Sequence, residues 1–229
     1  MKYLIALIVG LIAGVALLLA GLYFNPFATR QSLSPLAVAN ERMVVLKYTL
    51  APSELLLFTN DGESVRKPHP QKVQQLWEPA VRKSWVSVAE MSNARGEVVG
   101  IGIKFSSDSE KTRPLRAQAL VDSIWHIYLP ASGTVLVQQV ENYWPLLHDI
   151  VIPARWSSSD SWRGTWHGNI TAGQGALGTA RVTGQTGTFA GVEAEAVETL
   201  NVTVYSAVDG PAAMTGTLMI AMPSAGSGK

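Results

Sequence analysis

The sequence predicts an all-β protein: an antiparallel β-barrel of about eight strands, with short helices or loops inserted, behind one N-terminal transmembrane helix. Residues 3–24 contain no charged side chain. From residue 43 onward, short apolar or alternating runs recur about every ten to fifteen residues, and Gly, Pro, Asn or Ser separate them. This spacing favours an antiparallel barrel or sandwich over alternating β-α-β units.

The uncharged N-terminal segment is long enough to cross a bilayer. Its 22 residues would form a helix of about 33 Å, against an apolar bilayer core of about 30 Å. A cleaved signal peptide would have a shorter apolar region and small residues at the cleavage site, whereas Tyr23 and Phe24 stand there. Asn25-Pro26 ends the helix. We therefore predict an uncleaved anchor, with a signal peptide as the alternative.

The predicted organisation is a transmembrane anchor at 1–24, a linker at 25–42, a β-barrel domain at 43–223 and a disordered tail at 224–229. Lys2 and the terminal amine precede the anchor, which favours a cytoplasmic N-terminus. The prediction is a single-pass protein that meets the membrane through Tyr3 to Phe24, with its bulk periplasmic or extracellular.

The composition excludes several chemistries. The chain has no Cys, so disulfides, thiolate catalysis, Cys-ligated zinc and iron–sulfur clusters are excluded. The net charge is +1, so no strong field directs the chain to nucleic acid. The four histidines form neither H-x-x-x-H nor H-E-x-x-H, so we predict no metal site. No phosphate-binding glycine motif is present, and we predict no cofactor.

The predicted strands are short and bounded by turn residues. In 97–105, apolar side chains alternate with Gly100, Gly102 and Lys104, a pattern typical of a barrel bend. Residues 69–83 are predicted to form a short helix or a pair of turns, and 106–117 an exposed loop. The predicted strands are 43–50, 54–60, 84–91, 97–105, 123–130, 134–140, 147–153, 161–171, 176–184, 192–206 and 212–223.

A glycine-rich hinge, "TGQTGTFAG" at 183–191, separates two of these strands. Gly184 and Gly187 are predicted to bracket a turn that requires positive φ, which glycine adopts at little cost. Phe189 is predicted to point inward, and Gly191 to let the chain pass close to a neighbour. In the strand that follows, we assign Val192, Ala194 and Ala196 to one face, and to the other face three glutamates that would meet water or a polar lumen. These are Glu193, Glu195 and Glu198.

This region resembles the dirigent and allene-oxide-cyclase-like barrels. The resemblance covers about residues 162–222 and rests on the hinge, on "VEAEAVETLNVTVYS" (192–206), on "VDGPAA" (208–213) and on "MTGTLMIAM" (214–222). It implies an eight-stranded antiparallel barrel, often trimeric, with an apolar cavity. Gln185 stands where those families usually have a second glycine. Their catalytic acidic residues have no matching positions here, so none is carried over.

Two small sets of residues are candidates for a functional site. His126 and His167 each follow a tryptophan, and they would work with Glu141 in proton transfer if all three face the lumen. Trp125, Trp166 and Phe189 are candidates for binding an apolar ligand or a sugar. The alternatives are histidines on solvent-facing strand positions and aromatic side chains that fill the core or meet the membrane surface.

Two classes of function follow from this sequence. The first is a membrane-anchored extracytoplasmic barrel that binds an apolar or small ligand or serves as a subunit of an envelope assembly, with a homo-oligomer or another envelope protein as its partner. The alternative is an isomerase or cyclase that acts on an apolar substrate inside the barrel. An enzyme needs titratable groups that converge in a pocket, whereas a binding protein does not.

Overall fold

The computed structural model of the protein describes residues 2–24, 42–50, 58–60, 63–65, 84–175, 177–208 and 210–223. The predicted helix or turns at 69–83 and the predicted tail at 224–229 lie outside the described residues. So does the predicted linker, except for residue 42.

The N-terminal segment forms one long helix, α1 (Lys2–Tyr23). Its stretch Lys2–Gly21 has a mean hydropathy of 2.8 and is not buried against the rest of the protein. The helix is therefore long and apolar enough to cross a membrane. Among the described residues, Tyr23 in its last turn contacts His148 and Trp156.

The remainder of the described chain consists mostly of antiparallel strands. Nearly all of them begin and end within a few residues of the predicted bounds, because the alternation of side chains and the turn residues were both present in the sequence. The strands are β1 (Arg42–Thr49), β2 (Phe58–Asn60), β3 (Glu63–Val65), β4 (Ser84–Ser92), β5 (Val98–Asp108), β6 (Leu120–Leu129), β7 (Gly133–Asn142), β8 (Ser161–Asn169), β9 (Thr171–Gly173), β10 (Ala180–Gly184), β11 (Glu193–Ser206) and β12 (Gly210–Met222).

Eight of these strands close into a barrel, in the order β1-β4-β5-β6-β7-β10-β11-β12 and back to β1. The predicted fold class is confirmed. The position between β7 and β11 is shared: β10 fills one end, while β9 pairs with β7 and β8 with β11 at the other. β2 and β3 form a separate hairpin.

The barrel interior is filled by alternate residues of each strand. At the end that holds the β6–β7 turn, the filling is apolar and includes Ile127, Val135, Val137, Leu218 and Ile220. At the other end a second apolar cluster, with Ile150, Leu200 and Val202 among its members, lies between the ends of β8, β11 and β12 and a helical segment. Polar residues occupy the lumen between the two clusters, as described below.

That helical segment corrects one prediction. Residues 147–153 were predicted as a strand but form a π-turn (Leu147–Val151) between two short helices, α2 (Trp144–Leu146) and α3 (Ile152–Trp156). Pro145 and Pro153 each lie in the first turn of a helix, where the missing N–H is not needed. The apolar run "IVI" fits a strand locally, but its residues pack on the barrel end as a helix.

The glycine hinge turns the chain as predicted, but its glycines exchange roles. Gly187 (φ +65°) and Gly191 (φ +73°) have positive φ. Gly184 does not; a Cβ there would lie 1.7 Å from the carbonyl oxygen of Phe189, whereas a Cβ at Gly191 would meet nothing within 4 Å. Close approach thus explains Gly184, and backbone conformation explains Gly191. Phe189 is buried in the apolar core, as predicted.

Candidate functional site

A buried ionic cluster lies in the barrel lumen, built from Lys104, Glu141 and Glu198. They come from β5, β7 and β11, and each occupies an inward position of its strand. Lys104 exposes 4% of its surface, and the two glutamates expose none. Charged groups at this depth are stable only when they are paired and hydrogen-bonded.

One cation serves both carboxylates. The Nζ atom of Lys104 lies 2.6 Å from Oε1 of Glu141 and 2.9 Å from Oε1 of Glu198. It also lies 5.1 Å from the ring centroid of Trp125, within the range of a cation–π contact. The lysine is thereby held on three sides by β6, β7 and β11.

Both carboxylate oxygens of Glu198 accept hydrogen bonds from neighbouring side chains. Its Oε1 accepts hydrogen bonds from the Tyr48 hydroxyl and from Lys104. Its Oε2 accepts from Gln139 and, at 3.1 Å, from Nε1 of Trp125. Four donors satisfy this carboxylate, which is the arrangement expected of a structural anion.

Gln139 is oriented by a further contact. Its Nε2 donates to both carboxylates, at 2.7 Å to Oε1 of Glu141. Its Oε1 accepts from the Thr171 hydroxyl at 3.0 Å, and the backbone N–H of Glu198 donates to the same hydroxyl oxygen at 2.8 Å. Because Gln139 must donate with its nitrogen and accept with its oxygen, its amide orientation is fixed.

The hydrogen bonds to Glu141 all go to one of its two carboxylate oxygens. Its Oε1 receives three donors: Lys104, Gln139 and, at 2.5 Å, the Ser123 hydroxyl. Its Oε2 is buried and has no partner with hydrogen-bond geometry among the described residues, although the Tyr143 side chain lies close enough to interact with this carboxyl group. A buried carboxylate oxygen without a partner is costly, so this atom marks the place where a water or a bound molecule would contact the cluster.

The pKa values of the two glutamates shift in opposite directions, and that of Lys104 rises. Burial lowers the pKa of Lys104, but the Glu141 and Glu198 carboxylates outweigh it and raise the pKa above its ordinary value. Burial and the nearby Glu198 raise the pKa of Glu141, despite Lys104. For Glu198, Lys104 and the donors Tyr48 and Gln139 overcome burial and lower the pKa. The arrangement favours a proton on Glu141 before one on Glu198.

Two phenols border the cluster and remain neutral. Burial, followed by the charge of Glu198, raises the pKa of Tyr48 well above its usual value. Burial, followed by the charges of Glu141 and Glu198 and by a side-chain interaction with Glu141, does the same for the pKa of Tyr143. Both phenols therefore act as neutral hydroxyl groups near the carboxylates.

These directions predict how Glu141→Gln changes the pH dependence of stability. A carboxyl group whose pKa is raised by folding stabilises the protein below its unfolded pKa of about 4.3, and this contribution is lost as pH rises through the folded pKa. Glutamine removes this dependence. As the pH increases from about 4 to the folded pKa, the free energy of unfolding of the variant should therefore rise relative to that of wild type. Urea titrations at several pH values measure this difference.

Glu198→Gln is the contrasting variant. A carboxyl group whose pKa is lowered by folding stabilises above its unfolded pKa, and this contribution is lost as pH falls through the folded pKa. The Glu198→Gln variant should thus be less stable than wild type at neutral pH, and the deficit should shrink on acidification. If both variants changed with pH in the same direction, the assignment of the proton to Glu141 would be wrong.

The structure places the predicted catalytic residues apart. Glu141 lies in the lumen, but His126 and His167 are exposed on the outer face. The ring of His167 contacts Oδ1 of Asn201 at 2.6 Å, and on β6 the tryptophan and histidine alternate as the sequence indicated. No proton-transfer site with all three residues is formed.

The predicted ligand-binding aromatic residues are also separated. Trp125 belongs to the cluster, where its indole donates to Glu198 and Tyr48 packs edge-on against its ring at 4.8 Å. Trp166 is half-buried against the helical segment and donates to Asp149. Phe189 fills the apolar core.

Sequence reasoning missed Lys104 as a lumen residue and assigned Glu198 to the wrong face. Glu198 shares its face with Ala194 and Ala196, because the ladder between β11 and β12 runs without interruption from Glu195 to Val202. Strict alternation from Ala196 would have placed Glu198 inside. A further contact missed from the sequence follows from the helical segment: in the π-turn, the side chains of the adjacent residues His148 and Asp149 meet at 2.8 Å.

The described residues contain no group of three His, Cys, Asp or Glu side chains placed to hold a metal ion. Comparison of the chain with protein-family models gives no match. Comparison with curated proteins gives no match either. The assignment of function therefore rests on the geometry of the lumen cluster and its surroundings.

Proposed function

We propose that the protein is a membrane-anchored barrel that binds a small molecule in the lumen at Glu141. In this proposal α1 is an uncleaved anchor with its N-terminus in the cytoplasm, and the barrel lies in the periplasm or outside the cell. The helix is supported by its length and hydropathy, and its orientation by Lys2 at the N-terminus.

The observation that carries the proposal is the asymmetry between the two carboxylates. Four donors satisfy Glu198, whereas no donor among the described residues reaches Oε2 of Glu141 with hydrogen-bond geometry. A proton on this oxygen would make it a hydrogen-bond donor, so the expected ligand offers an acceptor such as a carbonyl, ether or hydroxyl oxygen.

The residues around Glu141 support entry of the ligand from the barrel end opposite the β6–β7 turn. One row of inward positions crosses four neighbouring strands: Trp85, Ser106, Ser123 and Gln139. The hydroxyl groups are buried, but Trp85 exposes 44% of its surface. An exposed aromatic ring beside a buried polar layer suits a ligand with an apolar body and a polar end.

The second candidate function, an isomerase or cyclase, is supported by the same carboxyl group. A buried Glu141 that carries a proton beside Lys104 could serve as a general acid. We propose a relationship to the dirigent and allene-oxide-cyclase-like barrels as part of this second function, since the resemblance to those families implies an apolar substrate inside the barrel.

An apolar patch on the outer wall supports a protein partner. Val86, Phe105 and Ile124 pair across β4, β5 and β6, and Ile101 pairs with Tyr128 four residues along β5. These five residues expose between 40% and 56% of their surfaces. Exposed apolar patches of this kind are typical of interfaces, and we propose that this wall contacts another copy of the chain or another envelope protein.

Native mass spectrometry of the full chain, released from a mild detergent, tests both the bound small molecule and the protein partner. Wild type should retain a small molecule that Glu141→Met loses, because methionine cannot form a hydrogen bond of comparable strength. Glu141→Gln should still retain it, because the amide preserves one donor and one acceptor. A molecule that all three forms retain equally would contradict binding at Glu141.

The same measurement distinguishes a binding protein from an enzyme and reports how many copies of the chain are in the complex. If the protein is an enzyme, Glu141→Gln keeps the bound molecule in its unconverted form, since an amide transfers no proton at neutral pH. Phe105→Glu should reduce any oligomer to monomer, whereas Thr165→Glu on β8 is the matched exposed control. A monomeric wild type would remove the homo-oligomer from the proposal.

A further inference from the structure

The end of the barrel beside α1 has the properties of a membrane-contacting surface. Three connections meet there: the loop 109–119, the helical segment 143–160 and the turn after β11. Each carries one large apolar side chain that is exposed, at 69% for Leu115, 77% for Trp156 and 81% for Val208. We refer to these three connections as the anchor-side rim.

The rim is one connected surface. The backbone N–H of Tyr143 donates to the carbonyl of Ala119 at 2.9 Å, which joins the helical segment to the loop 109–119. The N–H of Ala207 donates to the carbonyl of Asp160 at 2.7 Å, which joins the same segment to the turn after β11. The three exposed side chains therefore belong to loops that are held together.

The end of α1 docks on this rim. The Tyr23 ring stacks on His148 with 4.5 Å between centroids and lies 5.9 Å from Trp156. The ring nitrogen Nε2 of His148 lies 2.9 Å from the carbonyl oxygen of Tyr23. Since the rest of the helix projects away from the barrel without being buried, a bilayer around α1 would begin at the rim.

The charge of the rim's longest exposed loop indicates the kind of membrane. In 109–119, three basic residues stand against the single acidic residue Glu110, and all four are exposed. The basic residues are Lys111, Arg113 and Arg116. They flank Leu115, the tip of a short helical turn (Pro114–Arg116). Basic side chains around an exposed apolar residue suit an anionic lipid surface. The helical segment carries Arg155 against Asp149 and Asp160, and the sequence of the turn after β11 carries Asp209. The preference for anionic lipid therefore belongs to the loop 109–119.

We propose that the anchor-side rim lies on a bilayer surface, with Leu115, Trp156 and Val208 in the headgroup region and the basic loop 109–119 over anionic headgroups. This inference rests on α1 being the anchor, as proposed above. It places the barrel end nearest Glu141 against the membrane, so that molecules dissolved in the lipid meet that end first.

Single-cysteine labelling tests the inference cleanly, because the chain has no native Cys. The full chain is placed in nanodiscs of phosphatidylcholine and phosphatidylglycerol and spin-labelled at one of four positions: Ala13→Cys, Ala94→Cys, Leu115→Cys or Val208→Cys. Ala13 reports on insertion of α1. Ala94 lies in the β4–β5 turn at the opposite end of the barrel and is the exposed control.

Labels at 115 and 208 should collide with a water-soluble nickel chelate several-fold less often than the label at 94, and the contrast should weaken in discs of phosphatidylcholine alone. Equal collision rates at 94, 115 and 208, with the label at 13 protected, would overturn the inference and leave the anchor intact. A label at 13 that is open to the chelate would instead overturn the anchor.

Discussion

Lys104→Met is expected to destabilise the barrel by about 3–5 kcal/mol, because breaking a buried ion pair leaves charge without compensation. Lys104 exposes 4% of its surface and lies within 2.9 Å of both carboxylates. Methionine fills a similar volume but leaves Glu141 and Glu198 facing each other in the lumen. Urea unfolding of the full chain in mild detergent measures the change. Tryptophan fluorescence follows it, because α1 contains no tryptophan and six of the seven lie in the described part of the chain after α1.

Arg181→Met provides the matched control. Arg181 pairs with Glu193 at 3.3 Å, but both side chains are mostly exposed, and such pairs contribute about 0–1 kcal/mol. The double variant Lys104→Met with Glu198→Gln should recover part of the loss, because it removes the carboxyl group whose pKa is lowered and which therefore holds its charge more strongly. A Lys104→Met variant as stable as the Arg181→Met variant would show that the lumen does not need its cation.

The barrel could be predicted because strand signals are local. Alternation and turn residues lie within a few positions of one another, so β4, β6, β7 and β11 were found close to their observed bounds. The helical segment after β7 was missed because its apolar run suits either structure. Pro145 and Pro153 were the available signal, since proline is favoured in the first turn of a helix.

The functional cluster could not be predicted from local patterns. On β5 the large apolar side chains Ile101 and Phe105 face outward, and the lumen face carries glycine and Lys104. A charge on that face is stable only because Glu198, 94 positions away along the chain, lies opposite. Glu141 was singled out, but as a partner of two histidines. Which residues meet across a closed barrel depends on the register of all its strands.

Gly187→Ala should destabilise the barrel by about 3–5 kcal/mol, through backbone strain and displaced neighbours. Gly187 has φ +65°, and an added Cβ would lie 2.3 Å from the carbonyl oxygen of Ser132 and 2.9 Å from the Cα of Gly133. These backbone atoms cannot move freely, because the N–H of Thr188 donates to the same Ser132 oxygen at 2.8 Å. The hinge and the β6–β7 turn would have to separate.

Gly191→Ala separates the cost of backbone strain from the cost of close contact with neighbouring atoms. Gly191 has φ +73° but open space around its Cα, so alanine there should cost only the about 1–2 kcal/mol of a left-handed conformation. The free energies of unfolding of the two variants, from urea titrations monitored by fluorescence, should differ by about 1–4 kcal/mol. If they agreed, close packing against the β6–β7 turn would have no part in requiring glycine at 187. A difference would mean that this glycine motif is needed to pack two turns at one end of the barrel, a requirement that applies whether or not a molecule binds at Glu141.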